Sequence, residues 1–133
     1  MEIKCVQIIL LYQNEILVLE EKTMNKTKIA LPIGIINPGE SYLQASIRNC
    51  YEKTGIIVTQ KDLTKEFDVY TLQKNDVITR VKPLVFRLFD KQLPTIMDDK
   101  ISRIYYMTIN QFKEKCKYNK ELNQIEESIK FLN

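Results

Sequence analysis

A chain of 133 residues with 44% hydrophobic content can bury one compact core and is too apolar to remain disordered. It contains no histidine, which excludes a Ser-His-Asp triad, a Cys-His dyad, a His-ligated metal and imidazole acid–base catalysis. Its net charge of +3, with acids and bases interleaved, lacks the concentrated basic stripe of a nucleic-acid binder. Chemistry therefore falls to carboxylates, Lys, Arg, Tyr, Cys and hydroxyls, with or without an oxygen-bound ion such as Mg²⁺. Cys5, Cys50 and Cys116 are far apart and form no C-x-x-C pair, so they read as reduced thiols of a cytoplasmic protein.

In chain order, "IKCVQIILLYQNEILVLEEK" reads as two strands joined at Gln13-Asn14. The run "VQIILLY" is too short to span a bilayer, and no cleavage site follows it, so neither a signal peptide nor a membrane anchor is expected. "KTMNKTK" is a polar, basic loop, "IALPIGII" a short apolar segment, and "NPGE" a turn with Pro38 and Gly39 at its centre. Leu43, Ile47, Cys50 and Tyr51 then fall at helical spacing, predicting a helix from Ser41 as N-cap to Thr54, stopped by Gly55. "IIVTQ" returns to strand. "KEFDVYTLQ" and "ITRVKPLVFRLFD" read as two longer strands joined around Lys74-Asn75-Asp76, with Pro83 demoting part of the second to an edge or bulge. "ISRIYYMTI" is another strand, "NQFKEKCK" a short helix at best, and "NKELNQIEESIKFL" a final helix with Leu122, Ile125, Ile129 and Leu132 on one face. The order strands, helix, strands, helix, with no repeat or linker, predicts a single domain over 1–133: an α+β fold in which helices cover both faces of a mixed sheet.

From Gly34 the spacing becomes specific: five residues to Glu40, seven more to Arg48, then Glu52, Gly55 and the apolar Ile56. This resembles the Nudix box, G-x5-E-x7-R-E-U-x-E-E-x-G-U with U apolar, and Leu31-Pro32 and Pro38-Gly39-Glu40 also match the family's wording. The resemblance implies a Nudix-like α/β/α sandwich and a hydrolase that cuts the pyrophosphate of nucleoside diphosphate-linked compounds with Mg²⁺ or Mn²⁺. Positions 49, 52 and 53 share one helix face, so three carboxylates there would hold hard cations that bridge to phosphate and activate water. Arg48 in the family is a structural ion-pair partner of the Glu40 position.

Four positions depart from this pattern. Asn49 and Lys53 replace box glutamates, Ile33 takes the first place of the usual Gly-Gly pair, and Asn37 stands where another glutamate is common. A Lys⁺ about 5 Å from a divalent ion is unfavourable by roughly 6–7 kcal/mol at an effective ε near 20, so metal binding should weaken by orders of magnitude. Two functions follow from the resemblance: a pyrophosphohydrolase whose activity is weak, specialised or lost, or a non-catalytic nucleotide-binding or interaction module on the same fold.

The candidate catalytic and metal-binding residues are Glu52 and Glu40, with Asp98 or Asp99 as a replacement acid; where the site is active it takes Mg²⁺ or Mn²⁺, and otherwise no cofactor. Gly34, Arg48, Asn49 and Lys53 are the candidate substrate contacts, with Lys53 as a fixed cation that binds phosphate in place of metal. Arg80 and Lys82 share a strand face and could touch phosphate, although a solvated sheet face is the simpler reading. Tyr105 and Tyr106 are read as one core ring and one surface ring. The expected partner is a nucleotide-like small molecule, not nucleic acid or membrane, and the exposed sheet edge near Pro83 could support a homodimer.

Overall fold

The structure, a computed structural model, describes residues 1–24, 26–120 and 122–132. Asn25, in the stretch expected as a basic loop, and Glu121, in the expected last helix, lie outside the described residues; around the first, Lys22 and Thr23 of β2 pair with Thr27 and Lys26 of β3, so most of that stretch is strand. The elements in chain order are β1 (Glu2–Tyr12), β2 (Glu15–Thr23), β3 (Lys26–Ala30), β4 (Ile33–Ile35), α1 (Tyr42–Thr54), β5 (Leu63–Glu66), β6 (Tyr70–Lys74), β7 (Val77–Leu88), β8 (Ile101–Thr108), α2 (Ile109–Cys116) and α3 (Glu126–Lys130).

The spine of the sheet is a parallel pair, β1 with β7, in register from Glu2 opposite Ile78 to Tyr12 opposite Leu88. All other strand pairs are antiparallel. β1 and β2 pair only at the base of their turn, where Gln13 takes a positive φ of 51°. Beyond it they part, β1 taking β4 as its neighbour and β2 taking β8. That parting brings β4, and with it Gly34, onto the spine opposite Val6.

Side chains alternate between the faces of a strand, and here each face has its own core. Val6, Ile8 and Leu10 of β1, with Leu84 and Phe86 of β7, pack under Ala45 and Cys50 of α1. Ile9 and Leu11, with Val85, pack under Phe112 and Cys116 of α2 and the C-terminal Leu122, Ile125 and Leu132. Each fully buried Leu, Ile or Phe contributes about 1.5–3 kcal/mol by leaving water, so both faces need their helical cover. The expected sandwich, a mixed sheet between helices, is the observed one.

Four local expectations are corrected. Pro83 lies in an interior strand, since β7 is paired on both sides, but opposite a one-residue irregularity: β7 runs three residues from Leu84 to Val81 while its neighbours run four from Glu66 to Tyr70. Its carbonyl accepts from Phe67 N at 3.0 Å, and in a strand the N–H and C=O of a residue point the same way. The missing N–H therefore falls at the break between β5 and β6, which splits the expected "KEFDVYTLQ" strand at 67–69. Residues 56–59 alternate buried and exposed but join no ladder; Gln92 satisfies Ile57 instead, accepting from its N–H at 3.0 Å and donating to its carbonyl at 2.8 Å. The C-terminal segment is a 3-10 turn over Leu122–Ile125 followed by the short α3, although its apolar residues still share one face. Tyr105 and Tyr106 are both half-buried, each at the margin of a different core.

Candidate functional site

Local chemistry sets the position of α1. Ser41 Oγ accepts from Gln44 N at 3.1 Å while Gln44 Oε1 accepts from Ser41 N at 2.9 Å, a reciprocal cap that fixes where the helix starts. At the other end Gly55 adopts φ 73°, a left-handed conformation that favours glycine, and its N–H reaches Tyr51 O at 2.8 Å. Between these stops the face at positions 48, 49, 52 and 53 looks onto β4 and the loop that follows it. The cleft between them has a volume of about 390 Å³ and is lined by Gly34, Ile35, Asn37, Arg48, Asn49, Glu52 and Lys53 among others.

Arg48 is the hub of this face. Its Nε and Nη2 donate to the two oxygens of Glu40, each at 2.8 Å. Nη2 also reaches Ile35 O at 2.8 Å, and Nη1 reaches Glu52 Oε2 at 3.1 Å. Glu40 Oε1 accepts in addition from Asn37 N at 2.8 Å, so Glu40 closes the Pro38-Gly39 turn as well as pairing with the helix. The Arg48 hydrogen bond, then the Asn37 N–H, hold the Glu40 carboxyl at a pKa of about 2. The same bond to Glu40 pushes the Arg48 pKa up.

Asn49 is 3% exposed, and its amide faces inward. Nδ2 donates to Ala45 O at 2.9 Å within the helix and to Ile35 O at 3.1 Å across the cleft. The amide lies against Gly34, where any side chain would overlap it. This is what requires glycine on β4, and it ties Asn49 to the loop. The Ile35 carbonyl thus accepts from both Arg48 and Asn49, so each of its two lone pairs has a protein donor.

The Glu52 side chain, which lines the cleft, is 54% exposed. Lys53 Nζ lies 4.0 Å from Asp98 Oδ2, and Asp98 Oδ1 accepts from Lys100 N at 2.9 Å. Asp98 comes to the site because the 89–100 segment docks on the end of α1. Thr95 N donates to Thr54 O at 2.8 Å, Gln92 holds Ile57, and Tyr106 Oη donates to Gln92 O at 2.7 Å. Sequence reasoning named Asp98 without its partner, and missed Gln92 and Thr95 altogether. A polar side chain in a loop carries no signal of the backbone it will satisfy. Arg80 and Lys82 stand elsewhere on the α1 face of the sheet, Arg80 bonded to Glu2 at 2.8 Å and Lys82 lying 5.4 Å from the Tyr42 ring centre.

Divalent ions are held by several oxygen ligands, usually carboxylates and carbonyls. Here Glu40 is bound by Arg48, the Ile35 carbonyl is doubly bonded, an amide occupies position 49 and an ammonium position 53. Among the described residues no cluster of three acidic, Cys or His side chains could hold a metal ion. The donor set around Glu52 does not fit a divalent cation of the kind the three-carboxylate box implies.

The family model described as NUDIX domain matches residues 2–127. Among solved structures, a C. elegans Ap4A hydrolase in a binary complex superposes with a TM-score of 0.75 at 17% identity, covering 98% of this chain and 97% of that one. A NUDIX hydrolase from Nitrosomonas europaea gives 0.67 at 23% identity over 86% of this chain and 78% of its own. A MutT NUDIX hydrolase from Burkholderia pseudomallei gives 0.70 at 15% identity, over 83% and 85%. At these identities the likeness is one of fold. No curated protein matches the chain.

Proposed function

Because the chain belongs to the Nudix family, we propose that it is a single Nudix domain whose box cleft takes a nucleoside diphosphate-linked compound and whose Mg²⁺- or Mn²⁺-dependent hydrolysis of that compound is slow or lost. The observation that carries this reading is the Asn49 amide, which stands at a box carboxylate position and donates to the Ile35 and Ala45 carbonyls. Where the box pattern calls for oxygen ligands the chain supplies N–H groups, and Glu52 is left as the one box-helix carboxylate. The free thiols Cys5, Cys50 and Cys116 suit the reducing cytoplasm, where such ligands are found.

Incubation with dinucleoside polyphosphates, ADP-ribose, nucleotide sugars and nucleoside triphosphates in Mg²⁺ or Mn²⁺ tests the proposal. The expected result is trace or no turnover, with a thermal shift from at least one compound. Robust turnover that disappears in Glu52→Gln overturns the loss of activity. No shift across the panel leaves an interaction module on the Nudix fold.

A further inference from the structure

We propose that Lys53 is the resident cation of the box cleft, binding the ligand's diphosphate directly where a metal-loaded box would use a divalent ion; this rests on the family-based reading above. Formal charge is the first support. Three glutamates with one bound divalent ion sum to −1, and Asn49, Glu52 and Lys53 sum to zero. Replacing two glutamates by Asn and Lys thus raises the charge of this face by three, slightly more than the ion itself would add. The face keeps no electrostatic need for a metal and presents phosphate with a field close to that of a loaded site.

Elimination is the second. Two cationic side chains line the cleft, Arg48 and Lys53. Arg48 directs Nε, Nη1 and Nη2 to Glu40, Glu52 and Ile35, so moving it would open the turn before the helix. Lys53 has one ion-pair partner among the described residues, Asp98, at 4.0 Å, which is beyond hydrogen-bond reach. Its side chain is 32% exposed, enough to meet a ligand. The flexible four-carbon stem lets the ammonium swing from Asp98 toward a phosphate oxygen without disturbing the fold. Asn49 plays the complementary part: its amide holds the Ile35 carbonyl in place, so the loop keeps its shape without an ion beneath it.

Isothermal titration of the full chain with ADP-ribose, ATP and inorganic pyrophosphate, each in EDTA and in Mg²⁺, tests this. The expected result is binding of at least one probe in EDTA that Lys53→Met weakens by about tenfold or more, as loss of a charge-assisted phosphate contact does. Lys53→Arg retains the binding, and Asp98→Asn tightens it by releasing the ammonium. Lys53 is a partly exposed helix residue, and thermal denaturation of each variant checks that the fold is kept. Binding that requires Mg²⁺, or binding in EDTA that Lys53→Met leaves unchanged, overturns the role of Lys53 and leaves the family-based reading intact. No binding of any probe in either condition overturns both.

Discussion

Arg48 grips Glu40 through two hydrogen bonds of 2.8 Å, a bidentate pair that joins the middle of α1 to the turn preceding it. The Glu40 carboxyl has a pKa of about 2 against an ordinary 4.5, first through Arg48 and then through the Asn37 N–H. A depressed carboxyl pKa means that the unfolded chain takes up the proton first as pH falls. The pair's contribution is therefore full above 4.5 and disappears as pH drops toward about 2. Glu40→Gln should lower the urea midpoint at neutral pH and flatten its decline between about pH 5 and pH 2.5. A variant as acid-sensitive as the wild type would show that the pair adds nothing.

Asn49 is buried and both hydrogens of its amide are used. Asn49→Glu sets a second oxygen against the Ile35 and Ala45 carbonyls, and in EDTA it should destabilise the protein by about 1–3 kcal/mol. Added Mn²⁺ should recover part of that in the variant and none in the wild type, read as the urea midpoint with and without the ion. Equal stability of the two proteins in EDTA would show that the amide does not hold the loop.

Gly34 is glycine because the Asn49 amide occupies the space of its side chain. Gly34→Ala should lose about 1–3 kcal/mol by overpacking. The same change in an Asn49→Ala background should lose clearly less, giving a measurable coupling energy between the two sites. Additive losses would place the strain elsewhere.

Gln92 ties the 89–100 segment to Ile57 with two hydrogen bonds and takes a third from Tyr106 on its carbonyl. Gln92→Ala should destabilise the chain by about 1 kcal/mol or somewhat more and open this segment to limited proteolysis. Cleavage at the wild-type rate would mean that Thr95 and the Tyr106 bond to the backbone carbonyl hold the loop without the Gln92 side chain.

Burial pushes the thiols of Cys50 and Cys116 up to about 11 from 9.0. The neutral thiol is favoured only in the folded state, so the stability it provides is full below 9.0 and is lost as pH rises toward about 11. A disulfide reagent at about pH 8 should therefore label the native protein slowly and the urea-unfolded protein at once. Fast labelling of either cysteine in the native state would contradict its burial.

The sequence by itself determined the frame. Strand and helix periods, the Ser41 and Gly55 stops of α1 and the Gly34-to-Ile56 spacing are local patterns. The forces behind them, alternation, capping and positive φ, act within a few residues. It also determined the charge inventory of the box face, because residue types need no coordinates to be counted. The tertiary structure decided what each group on that face is doing. Asn49 looked like a group left over for a ligand, and packing turned its amide to the Ile35 carbonyl. Lys53 looked like a cation that opposes metal, and a segment more than forty residues away brought Asp98 beside it. Pro83 looked like an edge signal, and the break between β5 and β6 let it sit in an interior strand. Each of these outcomes depends on which distant backbone a polar group meets. That is fixed by the sheet order and loop docking, not by the residue's own neighbours in the chain.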